Sequence, residues 1–138
     1  MKKYLLEMLT PERTFFKGEV DSVVVKAVDG ETDILADHVP VVIGLVPDVI
    51  KLRTDDETKL CSNGEGFVMV DKEKVFIMCQ TFEWPEEIEY DRVNRAIEEH
   101  TERMKEALDS ADYRVSKMTI ARAMARLKLI EIRERIKN

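Results

Sequence analysis

Cysteine, histidine and aromatic side chains are all scarce in this chain, and each scarcity excludes a class of function. Two cysteines, Cys61 and Cys79, cannot build a disulfide scaffold; each ends an apolar run, where a small buried thiol is expected. Of the two histidines, His38 follows Asp37, and His100 falls on the apolar face of a helical stretch. Neither has a serine or cysteine partner at a catalytic spacing, and His38 with Asp33 and Asp37 matches no metal-ligand spacing. No catalytic residue and no metal site is therefore expected. Aromatic residues make up 7% of the chain, too few for the stacking platform of a nucleic-acid binder. The glycine-bearing "NGEG" (Asn63–Gly66) lacks the Gly-Lys-Ser/Thr of a phosphate loop and reads as a turn. No apolar run approaches the ~18–20 residues of a membrane span. The opening "MKKYLLEML" imitates a signal peptide, but Glu7 interrupts it and no small-residue cleavage site follows. A soluble chain is expected, with no direct membrane insertion.

What is present divides in two. In residues 1–85 short β-rich runs alternate with turn residues. "VDSVVVKAV" (Val20–Val28) is dense in valine; "VIKLRTDDETKLCS" and "GFVMVDKEKVFIMC" each place apolar runs either side of a polar turn. The five glycines fall where turns are expected, and Pro40 and Pro47 suggest a loop-rich middle. This pattern predicts an antiparallel β-sandwich or barrel. From Ile88 onward neither glycine nor proline occurs. Val93, Ala96, Ile97, His100, Met104, Ala107 and Leu108 recur at helical spacing, after a start signal at Pro85-Glu86-Glu87. "DSAD" (Asp109–Asp112) offers a turn and a cap for a second helix. The expected class is α+β: an N-terminal antiparallel β-sandwich, residues 1–85, followed by a C-terminal antiparallel αα hairpin, residues 86–138.

Charge is divided as sharply as pattern. The chain carries 22 basic and 28 acidic residues, for a net −6. Tyr113–Asn138 alone holds eight of the basic residues and two of the acidic ones, a segment at +6, which leaves residues 1–112 at −12. The last helix also carries two apolar stripes: Ile120, Met124, Leu127 and Ile130, and Met118, Ala121, Ala125, Leu129, Ile132 and Ile136. One stripe can face the first helix; the other needs a second partner, which the sandwich itself could provide. Arg122 and Arg126 share a face at i and i+4, and Arg92 could approach them across a hairpin, as in a polyanion site. A solvated basic face, with Glu89–Arg92 as a local pair, explains the same spacing.

As a set, "TPERTFFKGEVDSVVVKAVDGETDILADHVPVVIGLVPDVIKL", "NGEGFVMV" and "ADY…ARAMARLKLIEI" resemble the epsilon subunit of bacterial F-type ATP synthases, in order and over nearly the whole chain. The resemblance implies the same β-sandwich and helical hairpin, and a non-catalytic rotor subunit on the cytoplasmic face of the cell membrane. Its implied partners are the gamma shaft, the c-ring, and the alpha and beta subunits. Asp29, Gly30, Glu31 and His38 match the c-ring-facing region. The basic helix, with Arg114, Lys117, Arg122, Arg126, Lys128, Arg133 and Arg135, matches the element that extends into the catalytic head and blocks hydrolysis. No cofactor is required, but some relatives bind ATP as a regulatory ligand; Glu83, Ile88, Glu89, Arg92, Arg122 and Arg126 match those positions. The chain departs from that motif with Glu89 for Asp, Val93 for Ala and Glu99 where arginine occurs. It also has Gly64-Glu65-Gly66 where the family has a Gly-Gly pair. Two rivals stand beside this reading. A free-standing β-barrel nucleic-acid binder with a basic arm is opposed by the −12 body, and a small enzyme by the missing acid–base set.

Overall fold

The computed structural model describes residues 2–106 and 111–137, with side chains to Arg135. Ten strands come first: β1 (Tyr4–Leu9), β2 (Thr14–Val20), β3 (Ser22–Ala27), β4 (Gly30–Leu35), β5 (Val41–Leu45), β6 (Asp48–Thr54), β7 (Glu57–Asn63), β8 (Gly66–Val70), β9 (Lys74–Cys79) and β10 (Phe82–Glu83). Two helices follow, α1 (Tyr90–Glu106) and α2 (Ala111–Lys137). The strands hydrogen-bond along one path, β10-β7-β6-β3-β5-β8-β9-β1-β2, with β4 on β3. Between β3 and β5 the only register pair is Ala27↔Leu45. The path folds there into two layers, β10-β7-β6-β3-β4 and β5-β8-β9-β1-β2. Neighbours are antiparallel except β1 and β9, which run parallel from Leu5↔Lys74 to Leu9↔Met78.

Period-two alternation turns one face of each layer inward. Leu6 and Met8 from β1, Val23 and Val25 from β3, Ile50 and Leu52 from β6, and Val68 and Ile77 from β8 and β9 are almost wholly buried between the layers. Both thiols are buried there as well. The β6–β7 turn is Asp55-Asp56, within the expected "TDDE", with Asp55 at φ 55°. Asp55 N–H donates to Asp21 Oδ2 at 2.6 Å, which supports the left-handed residue.

Three local expectations are corrected. Gly18 and Gly44 lie inside β2 and β5, not between strands, and of the glycines only Gly30 has positive φ, 135°, at the β3–β4 turn. The segment between Pro40 and Pro47 is not loop-rich: it is β5, paired along its length with β8. Pro85-Glu86-Glu87 begins a separate 3₁₀ turn rather than the helix. Glu87 Oε1 accepts the Trp84 N–H at 2.9 Å and closes that turn, and Ile88 is extended (φ −101°, ψ 127°), so α1 starts only at Tyr90.

The passage from sandwich to helices is anchored by stacked rings: Phe15 of β2 lies 5.1 Å from Phe82 and 4.4 Å from Trp84, centroid to centroid. Helices α1 and α2 pack antiparallel. His100 Nδ1 is 3.0 Å from Ser116 Oγ near one end, and Ala96 and Ala123 line a common cavity nearer the other. Val93, Ala96, Ile97, His100 and Met104 face inward to differing degrees, as their spacing predicts. Ala107, Leu108, Asp109, Ser110 and the Ile136 side chain lie outside the described residues. Helix α2 also lies on the outer face of β6 and β7. There Val49 and Ser62, cross-strand partners outside the core, are buried.

Candidate functional site

The underside of α2 faces an acidic surface. Among the side chains that α2 buries, Ala123 and Ala125 keep its middle thin, and Leu129 and Ile130 follow toward its C-terminal end. The thin middle lets the helix lie close, and the basic side chains beside it reach carboxylates of the sandwich. Arg122 holds Glu65 in a two-pronged pair, Nε to Oε2 at 3.1 Å with a second bond from the other guanidinium arm. Arg126 Nε donates to Glu83 Oε1 at 2.5 Å. Lys128 Nζ donates to Asp48 Oδ1 at 2.6 Å. The Glu65 carboxyl is held below its ordinary value chiefly by the bond from Arg122, and the same bond raises Arg122. Arg114, Lys117 and Arg135 are exposed, and Arg133 approaches its neighbour Glu134 at 3.8 Å. Both proposed stripes are broken by exposure, with Met124 at 50% and Met118 at 37%.

Beside this ladder is a cavity of about 330 Å³ between β10, the 3₁₀ turn and both helices. Glu83, Ile88, Glu89, Arg92 and Arg126 line it, with Glu87, Val93, Ala96 and Ala123. Five of the six residues expected at a nucleotide site thus share one cavity. Arg122, the sixth, is turned away to Glu65 and is not in the lining. The Arg126 guanidinium is already engaged by Glu83. An anion entering there would meet two guanidinium groups and three carboxylates, a balance that weakens the hold on a highly charged ligand without excluding it.

The expected rotor-contact residues do not form one patch. Asp29, Gly30 and Glu31 surround the β3–β4 turn, beside a Val28 that is 84% exposed. His38 lies beyond the far end of β4, whose six residues span about 17 Å. There His38 Nδ1 donates to the Val39 carbonyl at 2.9 Å, and Lys2 pairs with the adjacent Asp37.

A second surface lies on the layer that α2 does not cover. Val42 (64% exposed) is the cross-strand partner of Met69 (43%), and Met69 in turn is the partner of Phe76. Phe67 and Phe76 lie 6.4 Å apart at their centroids. This face did not stand out in the sequence, and Glu65 did so only as a departure from the family's Gly-Gly pair, with no partner foreseen for it. The available signal for Glu65 is a charged residue set between two glycines in a tight turn.

The protein is thus a β-sandwich with an appended helical hairpin, with a ladder of ion pairs beneath α2 and an exposed apolar face on the other layer. Residues 3–85 match the family described as "ATP synthase, Delta/Epsilon chain, beta-sandwich domain". The ATP synthase epsilon chain of Ruminiclostridium cellulolyticum is 38% identical, over 92% of this chain and 95% of that one. That of Caldicellulosiruptor bescii is 34% identical, over 95% and 96%. The chain belongs to the epsilon-chain family of the ATP synthase. Its fold matches a chain in the cryo-EM structure of the Euglena gracilis mitochondrial ATP synthase OSCP/F1/c-ring assembly. The TM-score is 0.71 over 99% of this chain and 82% of that one, at 19% identity. Among the described residues, no helix is long and apolar enough to cross a membrane.

Proposed function

We propose that this chain is a non-catalytic central-rotor subunit of the F-type synthase, joining the gamma shaft to the c-ring at the cytoplasmic face of the membrane. The observation that carries this reading is the uncovered apolar face at Val42, Phe67, Met69 and Phe76. Contiguous exposed apolar side chains on a well-packed layer favour a protein partner. The shaft docks on this face, and the polar Asp29–Glu31 turn meets the c-ring. Helix α2, in turn, leaves the sandwich to meet an acidic segment of the beta subunits and blocks hydrolysis; alpha and beta subunits are its partners in that state. ATP, entering the cavity at Arg92 and Arg126, favours the folded-down state by binding only there.

The test is assembly. Val42→Glu with Met69→Glu places two charges on the outer face and leaves the core untouched. The variant should fold with an unchanged circular dichroism spectrum and fail to co-purify with the gamma subunit. Normal co-purification of the folded variant sinks the assignment of this face.

A further inference from the structure

We propose that Glu65 is a built-in latch for α2: its carboxylate occupies Arg122 as an anionic ligand would, and so holds the helix on the sandwich without one. Two independent features support this. The first is the pairing itself. Arg122–Glu65, Arg126–Glu83 and Lys128–Asp48 tie the middle of α2 to three separate elements, the β7–β8 turn, β10 and β6. Of these, only Arg122–Glu65 engages both arms of a guanidinium, the arrangement that carries most geometric specificity.

The second is the rigidity of the turn that presents Glu65. A Cβ on Gly64 would stand 2.7 Å from Thr81 Oγ1, and one on Gly66 would stand 2.0 Å from the Met78 carbonyl oxygen. The flanking backbone is thus pressed against the β9–β10 connection. Gly64 N–H donates to the Thr81 carbonyl at 2.9 Å, and Gln80 N–H donates to the Glu65 carbonyl at 3.0 Å. Asn63 Nδ2 adds a bond to the Gly64 carbonyl at 2.7 Å. The carboxylate is therefore aimed at α2 from a fixed backbone, with little ordering left to pay when Arg122 arrives. Ala123 and Ala125, which the middle of α2 buries, are small, so ion pairs contribute a larger share of its attachment there than they would beside bulky residues.

The latch deepens the regulatory reading above and rests on it only for where the freed helix goes; docking itself is measurable in the isolated chain. Nitroxides at Asp56→Cys and Lys117→Cys, both exposed positions, would report the sandwich-to-helix distance by electron–electron resonance, the native thiols being buried. Glu65→Gln should raise the undocked-to-docked ratio about three- to tenfold, and 1 M NaCl should raise it in the unsubstituted chain. The charge exchange Glu65→Arg with Arg122→Glu should restore docking. An unchanged distance distribution in Glu65→Gln at every salt concentration overturns the latch, as does a release that the exchange does not reverse. An inert α2 in assays of hydrolysis would overturn the regulatory reading and leave this measurement standing.

Discussion

Gly66 shows how much a single side-chain position can fix. Its Cα faces backbone, with the Met78 oxygen 2.0 Å and the Cys79 Cα 2.6 Å from where a methyl would sit. Gly44, inside β5, has nothing within 4 Å of the same point. Gly66→Ala should therefore lower stability by about 1–3 kcal/mol through overpacking, and Gly44→Ala should change it by under about 0.5 kcal/mol. Urea midpoints of the two variants decide this; equal midpoints would mean that the β7–β8 turn yields freely. The contrast was not legible in the sequence, where all five glycines look like turn residues. Close approach depends on what lies across the layer, and neighbouring residues carry no record of it. The thiols are the opposite case. Burial was legible from their apolar surroundings, and it pushes Cys79 up to about 12 and Cys61 further in the same direction.

At the scale of elements, α2 was legible as a helix with more apolar surface than one partner can cover, and its second partner proves to be β6 and β7. The pairing partners were not legible: Glu65, Glu83 and Asp48 are 57, 43 and 80 residues from the bases that they meet. The anchored rings at Phe15, Phe82 and Trp84 set where a departing hairpin would pivot, since everything before Trp84 is tied into the sandwich. Deleting Tyr113–Asn138 should thus leave the sandwich folded, because its core cluster draws on no helical residue. In the assembled complex ATP hydrolysis should rise. If ATP enters the cavity as proposed, calorimetric titration of the isolated subunit with MgATP should give heat that Arg126→Ala abolishes, and no heat from the unsubstituted subunit at millimolar nucleotide sinks that site. A truncated complex that hydrolyses no faster than the intact one shows that α2 is only a brace.

For the molecule as a whole, a +6 helix resting on a −12 body makes attachment a matter of pH. Glu65 is held below its ordinary 4.5 by Arg122, and Asp21 below its ordinary 3.8, first by the bond from Lys3 and then by the Asp55 N–H. A carboxyl whose folded value is depressed contributes its full stabilisation above the ordinary value and loses it as pH falls through the folded one. Lys3 is raised above 10.5, so its contribution is lost only in strong alkali. Stability to urea should be level from neutrality to about pH 5 and fall below that. Glu65→Gln should fall less steeply between pH 5 and 3, and an identical slope would show that the pair adds nothing to folding.

The parallel pairing of β1 with β9 has a temporal side. Leu5 must find Lys74 before the layer that holds β1 can close. On the ribosome, β1 therefore waits for β9, able meanwhile to pair only with β2 as an open hairpin. Contacts so distant along the chain make closure slow, because the loop entropy is lost before the contact is gained. The basic helix is synthesised after that closure becomes possible. Its positive charge thus joins the chain only after the acidic strand-bearing segment is complete, and the electrostatic asymmetry is ordered in time as well as in space.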